Sequence, residues 1–209
     1  DTPDFHVVLR ASPDAIINAA AYTAVDQAEA EVALAQRMNA IAPGEIAKRA
    51  ATLGVPLIHI STDYVFDGRG TRPYREDDPI APQSVYGASK AAGEEATRKA
   101  TAQHVILRTS WVFGAQGNNF VKTMLRLASE RDALSVVNDQ QGCPSAAGDI
   151  ADVLLTLAGR ALRSRDSFPW GTYHFCNHGV TSWHGFASAI LREAARRGAH
   201  SIPVRGIPT

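Results

Sequence analysis

The stretch from Val55 to Lys90, VPLIHISTDYVFDGRGTRPYREDDPIAPQSVYGASK, restricts what this chain can fold into more than any other. Its opening apolar residues, Val55, Leu57, Ile58 and Ile60, have the length and β-branched content of a strand buried on both faces. Ser61, Thr62, Asp63 and Tyr64 follow directly. Hydroxyls, a carboxylate and a phenol therefore gather where a parallel strand would end, the place where open α/β sheets bind ligands. About two dozen residues later comes Tyr86-Gly87-Ala88-Ser89-Lys90.

On a helix, Tyr86 and Lys90 project from the same face, one turn apart. A phenol near its reference pKa of about 10 is a poor acid or base at neutral pH, and a cation held beside it moves it toward the working range. With Thr62 orienting the same reacting oxygen, the three side chains would make a proton relay for interconverting a carbonyl and an alcohol. Taken alone, Tyr-x-x-x-Lys also fits a solvated helix face; the flanking strand, the Pro-rich loop and the small residues Ala88, Ala91, Ala92 and Gly93 are what give it weight.

Composition narrows the class. The 209 residues are 45% hydrophobic and 20% charged, with 21 basic residues against 21 acidic ones. That describes one ordinary globular core with no basic field to recruit nucleic acid. No run approaches the ~18 apolar residues of a membrane span, and no signal peptide is evident. Cys143 and Cys176 form no Cys-x-x-Cys pair, and His174, His178 and His184 lack metal-ligand register, so no metal site is expected and a reducing cytoplasm is the simplest setting.

Ser-Thr-Asp-Tyr-Val-Phe-Asp-Gly (61–68) followed by Val-Tyr-Gly-Ala-Ser-Lys-Ala-Ala-Gly-Glu (85–94) resembles the extended short-chain dehydrogenase/reductases, and within them the dTDP-4-dehydrorhamnose reductase branch. The likeness runs from about Pro13 to Thr209. Arg-Thr-Ser-Trp-Val (108–112), Asn-Asn-Phe (118–120) and Asn-Asp-Gln-x-Gly-x-Pro, beginning at Asn138, extend it. The resemblance implies a doubly wound, Rossmann-like parallel sheet with a small C-terminal substrate-binding lobe. Residues 1–115 would be the remainder of the nucleotide-binding domain, and 116–209 mixed segments contributing the lobe and the last strands. A glycine-rich unit ahead of the first strand and a C-terminal extension, both present in the family, are absent from these residues, so a truncated chain or part of a longer one is expected.

Along the chain, a helical segment is expected over Phe5 to Arg10 and a strand over Ala15 to Asn18. Helices are expected over Asp26 to Arg37 and Ile41 to Leu53, a loop over Phe66 to Ser84, and a helix capped by Ser84. Strands at His104–Arg108, Val136–Val137 and Gly171–Phe175 alternate with helices at Phe120–Glu130, Asp149–Leu157 and Trp183–Arg197, with a charged connection over Arg160 to Pro169.

By resemblance, Tyr86, Lys90 and Thr62 are catalytic, and Ala21, Tyr22, Thr23, Ile60, Tyr86 and Lys90 hold NADPH or NADH. Thr62, Asp63, Trp111, Asn119 and Phe120 would bind the nucleotide-sugar. Tight packing explains Ala19 to Ala21 equally well; Asn39 resembles the asparagine that helps shape the proton relay in related enzymes, and an interhelix polar cap explains it equally well; a core position is open to Trp111. The implied activity is reduction of the 4-keto group of dTDP-4-dehydro-6-deoxy-L-mannose to dTDP-L-rhamnose in the cytoplasm, with a homodimer possible. A non-catalytic regulatory subunit of the methionine adenosyltransferase type and a related deoxysugar 4-ketoreductase are the alternatives.

Overall fold

A computed structural model describes residues 10–209, so the helix expected over Phe5 to Arg10 lies outside the described residues except for Arg10. In chain order the elements are β1 (Ile16–Asn18), α1 (Val25–Ala28), α2 (Val32–Gln36), a π-helical turn (Arg37–Ile41), α3 (Ala42–Leu53), β2 (Leu57–Thr62), a 3-10 turn (Asp63–Val65), α4 (Val85–Ala100), β3 (His104–Thr109) and β4 (Val112–Phe113). Then come α5 (Phe120–Glu130), β5 (Leu134–Val137), β6 (Gln141–Gly142), β7 (Ser145–Ala146), α6 (Ala147–Arg163), β8 (Gly171–His174), β9 (Thr181–Ser182), α7 (Trp183–Arg196) and β10 (Val204–Ile207).

The chain divides into two units and passes between them more than once. The first holds the residues up to Thr109 together with Val153–Phe175; the second holds Ser110–Asp152 and Cys176–Thr209.

In the first unit β1, β2, β3 and β8 form a parallel sheet in that order. The register sets Asn18 opposite His59, Ser61 opposite Arg108 and Arg108 opposite His174. Leu57, Ile58, Val105, Ile106 and Leu107 are fully or almost fully buried. Parallel strands need crossover connections, and here helices supply them. Gly54 ends α3 in the left-handed conformation (φ 65°) that an L side chain avoids. α4 starts at Ser84, whose hydroxyl accepts from Gly87 N at 3.1 Å, and Glu29 adds a carboxylate that accepts from Val85 N at 2.8 Å.

Two helices differ from the sequence reading. The helix expected over Asp26 to Arg37 is broken between α1 and α2, where Glu29 reaches α4 and Glu31 accepts from the Tyr22 hydroxyl at 2.8 Å. Tertiary partners outcompete local propensity there. The connection expected over Arg160 to Pro169 is helical as far as Arg163, because Ala158 and Ala161 are buried and the terminal arginines suit the helix C-terminus.

In the second unit, three two-stranded ladders pair β4 with β7, β10 with β5, and β6 with β9, the last antiparallel. Helices α5 and α7 close over Met124, Leu134, Val136, Ile190, Leu191 and Ile202. Asn119 caps α5 and Ser182 caps α7. Among the described residues no helix is long and apolar enough to cross a membrane, and no group of His, Cys, Asp and Glu side chains could hold a metal ion.

Candidate active site

Thr62 is the last residue of β2, and its position at the carboxyl end of a parallel strand follows from the switch from apolar to hydroxylated residues noted above. Its hydroxyl donates to Asp63 Oδ1 at 3.1 Å and accepts from Tyr64 N at 3.2 Å. One lone pair is left over. Tyr86, on the first turn of α4, is a neighbour of this hydroxyl, which lowers the phenol pKa when it donates to the phenol oxygen in place of Asp63.

Burial nevertheless dominates: it pushes Tyr86 up to about 12, and the neighbouring Asp63 adds to the rise. The phenol therefore stands above its ordinary value, the opposite of the shift expected from a neighbouring lysine. Burial is the cause, and Lys90 is engaged elsewhere. Its Nζ donates to the Ile60 carbonyl at 2.6 Å, and burial draws it down to about 8 while Glu94 works in the other direction. Asp63, desolvated at the strand end, rises to about 6.

Ala21, Tyr22 and Thr23 lie in the loop after β1, and Ile60 lies near the end of β2. Asn39 fixes that loop: its amide accepts from Tyr22 N at 2.8 Å, donates to Tyr22 O at 3.0 Å, and donates to Ser89 Oγ on α4 at 3.1 Å. Of the alternatives left open for Asn39, its contacts are those of a polar cap between segments. The Tyr22 ring packs with Ala28, Ala35 and Tyr86. Ala19 and Ala20 are exposed just past β1, whose last residue, Asn18, is in register with His59, the residue before Ile60. An open strip of backbone edged by a buried phenol and ammonium suits a ligand that is flat, polar and anionic, so these residues fit a dinucleotide.

The structure thus brings Thr62, Asp63, Tyr86, Lys90, Ile60 and Tyr22 together in the first unit. Trp111, Asn119 and Phe120 belong to the second. Trp111 adopts a left-handed backbone (φ 47°), an uncommon conformation for a bulky residue, and stacks on Trp183 with ring centroids 3.5 Å apart. Phe120 meets the same Trp183 at 4.6 Å. Both ends of the Asn119 amide are engaged: it accepts from Lys122 N as the cap of α5 and donates to Gly114 O at 2.8 Å.

Sequence reading did not single out Glu94 and Arg108. Glu94 is fully buried on α4 and accepts from Arg108 Nε and Nη2 at 2.8 and 2.7 Å and from Arg98 Nη2 at 2.7 Å. Burial alone would raise this carboxyl, but the guanidiniums outweigh it and hold it below its ordinary value. The signal available was that Glu94 follows Lys90 by four residues, a spacing that puts both on one helix face.

Comparison with known proteins adds a separate line of observation. A model of the RmlD substrate binding domain matches residues 4–209. The chain is 46% identical to a dTDP-4-dehydrorhamnose reductase of Shigella flexneri, over 97% of this chain and 69% of that protein. Its structure resembles that of a dTDP-4-dehydrorhamnose reductase from Bacillus anthracis in complex with NADP, with a TM-score of 0.89 and 41% identity over 98% of this chain and 69% of the other. A Clostridium acetobutylicum orthologue of that reductase gives a TM-score of 0.88 and 38% identity over the same shares.

Proposed function

The chain belongs to the RmlD substrate binding domain family, and on that premise we propose that it is an NAD(P)H-dependent reductase of the 4-keto group of dTDP-4-dehydro-6-deoxy-L-mannose, yielding dTDP-L-rhamnose. The observation that carries the reading is Tyr86, a buried phenol that keeps its proton at neutral pH within reach of Thr62 at the carboxyl end of β2. That is the protonation state the reductive direction requires.

Ala21, Tyr22, Thr23, Ile60, Tyr86 and Lys90 are the residues that would hold NADPH or NADH. The bound cofactor supplies the hydride that goes to C4. As the carbonyl electrons move onto oxygen, Tyr86 gives its proton to the developing alkoxide, a far stronger base than phenolate, so the transfer is downhill even from a phenol at about 12. C=O becomes CH–OH, and the phenolate regains its proton from solvent. Thr62, whose proton rests on Asp63 Oδ1 here, turns it toward the sugar oxygen. The family likeness assigns sugar-nucleotide contacts to Asp63 in the first unit and, separately, to Trp111, Asn119 and Phe120 in the second. The same reading keeps the protein in the cytoplasm, where nucleotide-sugars are made, and allows a homodimer.

Incubating the full-length protein with reduced nicotinamide cofactor and the 4-keto sugar nucleotide tests this. Oxidation of the cofactor with formation of dTDP-L-rhamnose is expected; no oxidation with either NADH or NADPH by a folded protein would overturn it.

A further inference from the structure

The layer between α4 and the sheet contains buried polar groups that the proposed chemistry does not use. Asn18 Nδ2 meets His59 Nδ1 at 3.1 Å, across β1 and β2. Ser61, Arg108 and His174 lie side by side on β2, β3 and β8. Glu94 descends from α4 onto Arg108, and Arg98 joins it one turn later, also touching Thr172 Oγ1 at 3.2 Å. Arg108 further reaches the Glu76 carbonyl at 3.3 Å and lies 5.1 Å from the Phe66 ring centroid, while Glu76 Oε1 accepts from His174 N at 3.0 Å. The pair therefore ties α4 to the sheet and to the loop that follows β2.

A buried ion pair is a weak source of stability, since removing two charges from water costs about what their attraction returns. It does fix geometry, because the two parallel hydrogen bonds between a guanidinium and a carboxylate allow one arrangement. Glu94 is one helical turn from Lys90, and Lys90 one turn from Tyr86. Wherever Arg108 holds Glu94, the other two follow.

We propose that Glu94, clamped by Arg108, is a positioning residue for the reaction: it sets α4 over β2 so that Lys90 reaches Ile60 O and Tyr86 faces Thr62, and its carboxylate, one turn along the same helix face, is the counter-charge to the buried Lys90 ammonium. The part concerning the reaction rests on the reductase reading. The part concerning Lys90 does not. The charged and titratable groups around Lys90 are Glu94 and Tyr86 from its own helix, His59 from β2 and, behind Glu94, Arg108 from β3. His59 is drawn down to about 3 by burial and by Lys90, so it is neutral and offers no compensating charge. Glu94 is the one neighbour whose charge raises Lys90.

The test is to titrate Lys90 by NMR of carbon-labelled lysine in the full-length protein, assigned with Lys90→Arg, and to measure kcat against pH, in wild type and in Glu94→Gln. Lys90 is expected to titrate near 8 in the wild type and at clearly lower pH in the variant. With it the alkaline limb of kcat should move down, costing about tenfold at pH 8 and little at pH 6. A purely structural role would lower kcat evenly across pH. If Glu94→Gln does not fold, because Arg108 is left buried without its partner, the double variant Glu94→Gln/Arg108→Gln removes both charges and takes its place. A Lys90 titration unchanged from wild type in the folded variant overturns the proposal. Because the titration needs no turnover, that failure is distinct from absence of reductase activity.

Discussion

Gly93→Ala is the substitution for which local and tertiary preference disagree most sharply. Gly93 lies inside α4, where alanine is favoured over glycine by about 1 kcal/mol. A Cβ added there would stand 2.0 Å from the Asn39 carbonyl oxygen, while real Cβ atoms keep at least 3.0 Å. The π-helical turn and α4 would have to part by about 1 Å, and a backbone carbonyl has no rotamer by which to escape. Overpacking of this kind costs about 1–3 kcal/mol, and the absence of a yielding side chain puts it at the upper end. Subtracting the propensity gain leaves a net loss of about 2 kcal/mol, or about 4–8 °C in Tm for a chain of this size. Because Asn39 also holds the Tyr22 backbone and Ser89, and α4 carries Tyr86 and Lys90, a 1 Å displacement should lower kcat by about 100-fold. Urea and thermal unfolding followed by circular dichroism measure the first effect, cofactor oxidation the second. Gly148→Ala, in α6 with nothing within 4 Å of the added carbon, is the control and should be neutral or slightly stabilising. Gly93→Ala as stable as wild type would refute the close approach of α4 to Asn39.

Two further outcomes follow from the site. Asp63 titrates near 6, above its ordinary value, so the folded state binds the extra proton and stability falls as pH rises from about 4 to 6. Asp63→Asn should therefore be more stable than wild type by up to about 3 kcal/mol at pH 7, an advantage that vanishes below pH ~4 in denaturant titrations. In Gly142→Ala the new Cβ would meet Trp111 Cζ2 and Nε1 at 2.6 and 2.7 Å, which displaces the indole from its stack on Trp183. A changed tryptophan emission spectrum and a KM for the sugar nucleotide raised about tenfold, with kcat less affected, are expected; an unchanged spectrum would show that the ring accommodates the methyl group where it stands.

The parallel strands and the placing of Thr62 at a strand end, with Tyr86 and Lys90 on one helix face, were legible because they depend on short-range patterns: an apolar run with a polar end, and a spacing of four on a helix. What escaped depended on partners distant in sequence. His59 and Ser61 sit in what reads as an apolar strand, and burial of His59 is tolerable only because Asn18, 41 residues away, meets its Nδ1. The break after Ala28 turns on Glu29 capping a helix 56 residues later. The direction of the Tyr86 shift was misjudged for a similar reason. Spacing shows that Lys90 shares a face with the phenol, but not that its ammonium is taken up by the Ile60 carbonyl or that burial exceeds any charge effect. The left-handed backbone of Trp111 left no trace in sequence, since a tryptophan is among the residues least expected there.

The central claim, that Tyr86 delivers the proton, is met most directly by comparing Tyr86→Phe with wild type in single-turnover cofactor oxidation, with cofactor affinity measured calorimetrically on the same samples. Loss of the hydroxyl should lower the rate by about 100-fold or more while leaving cofactor affinity within about threefold. A Tyr86→Phe protein that reduces the keto sugar at the wild-type rate would contradict the account.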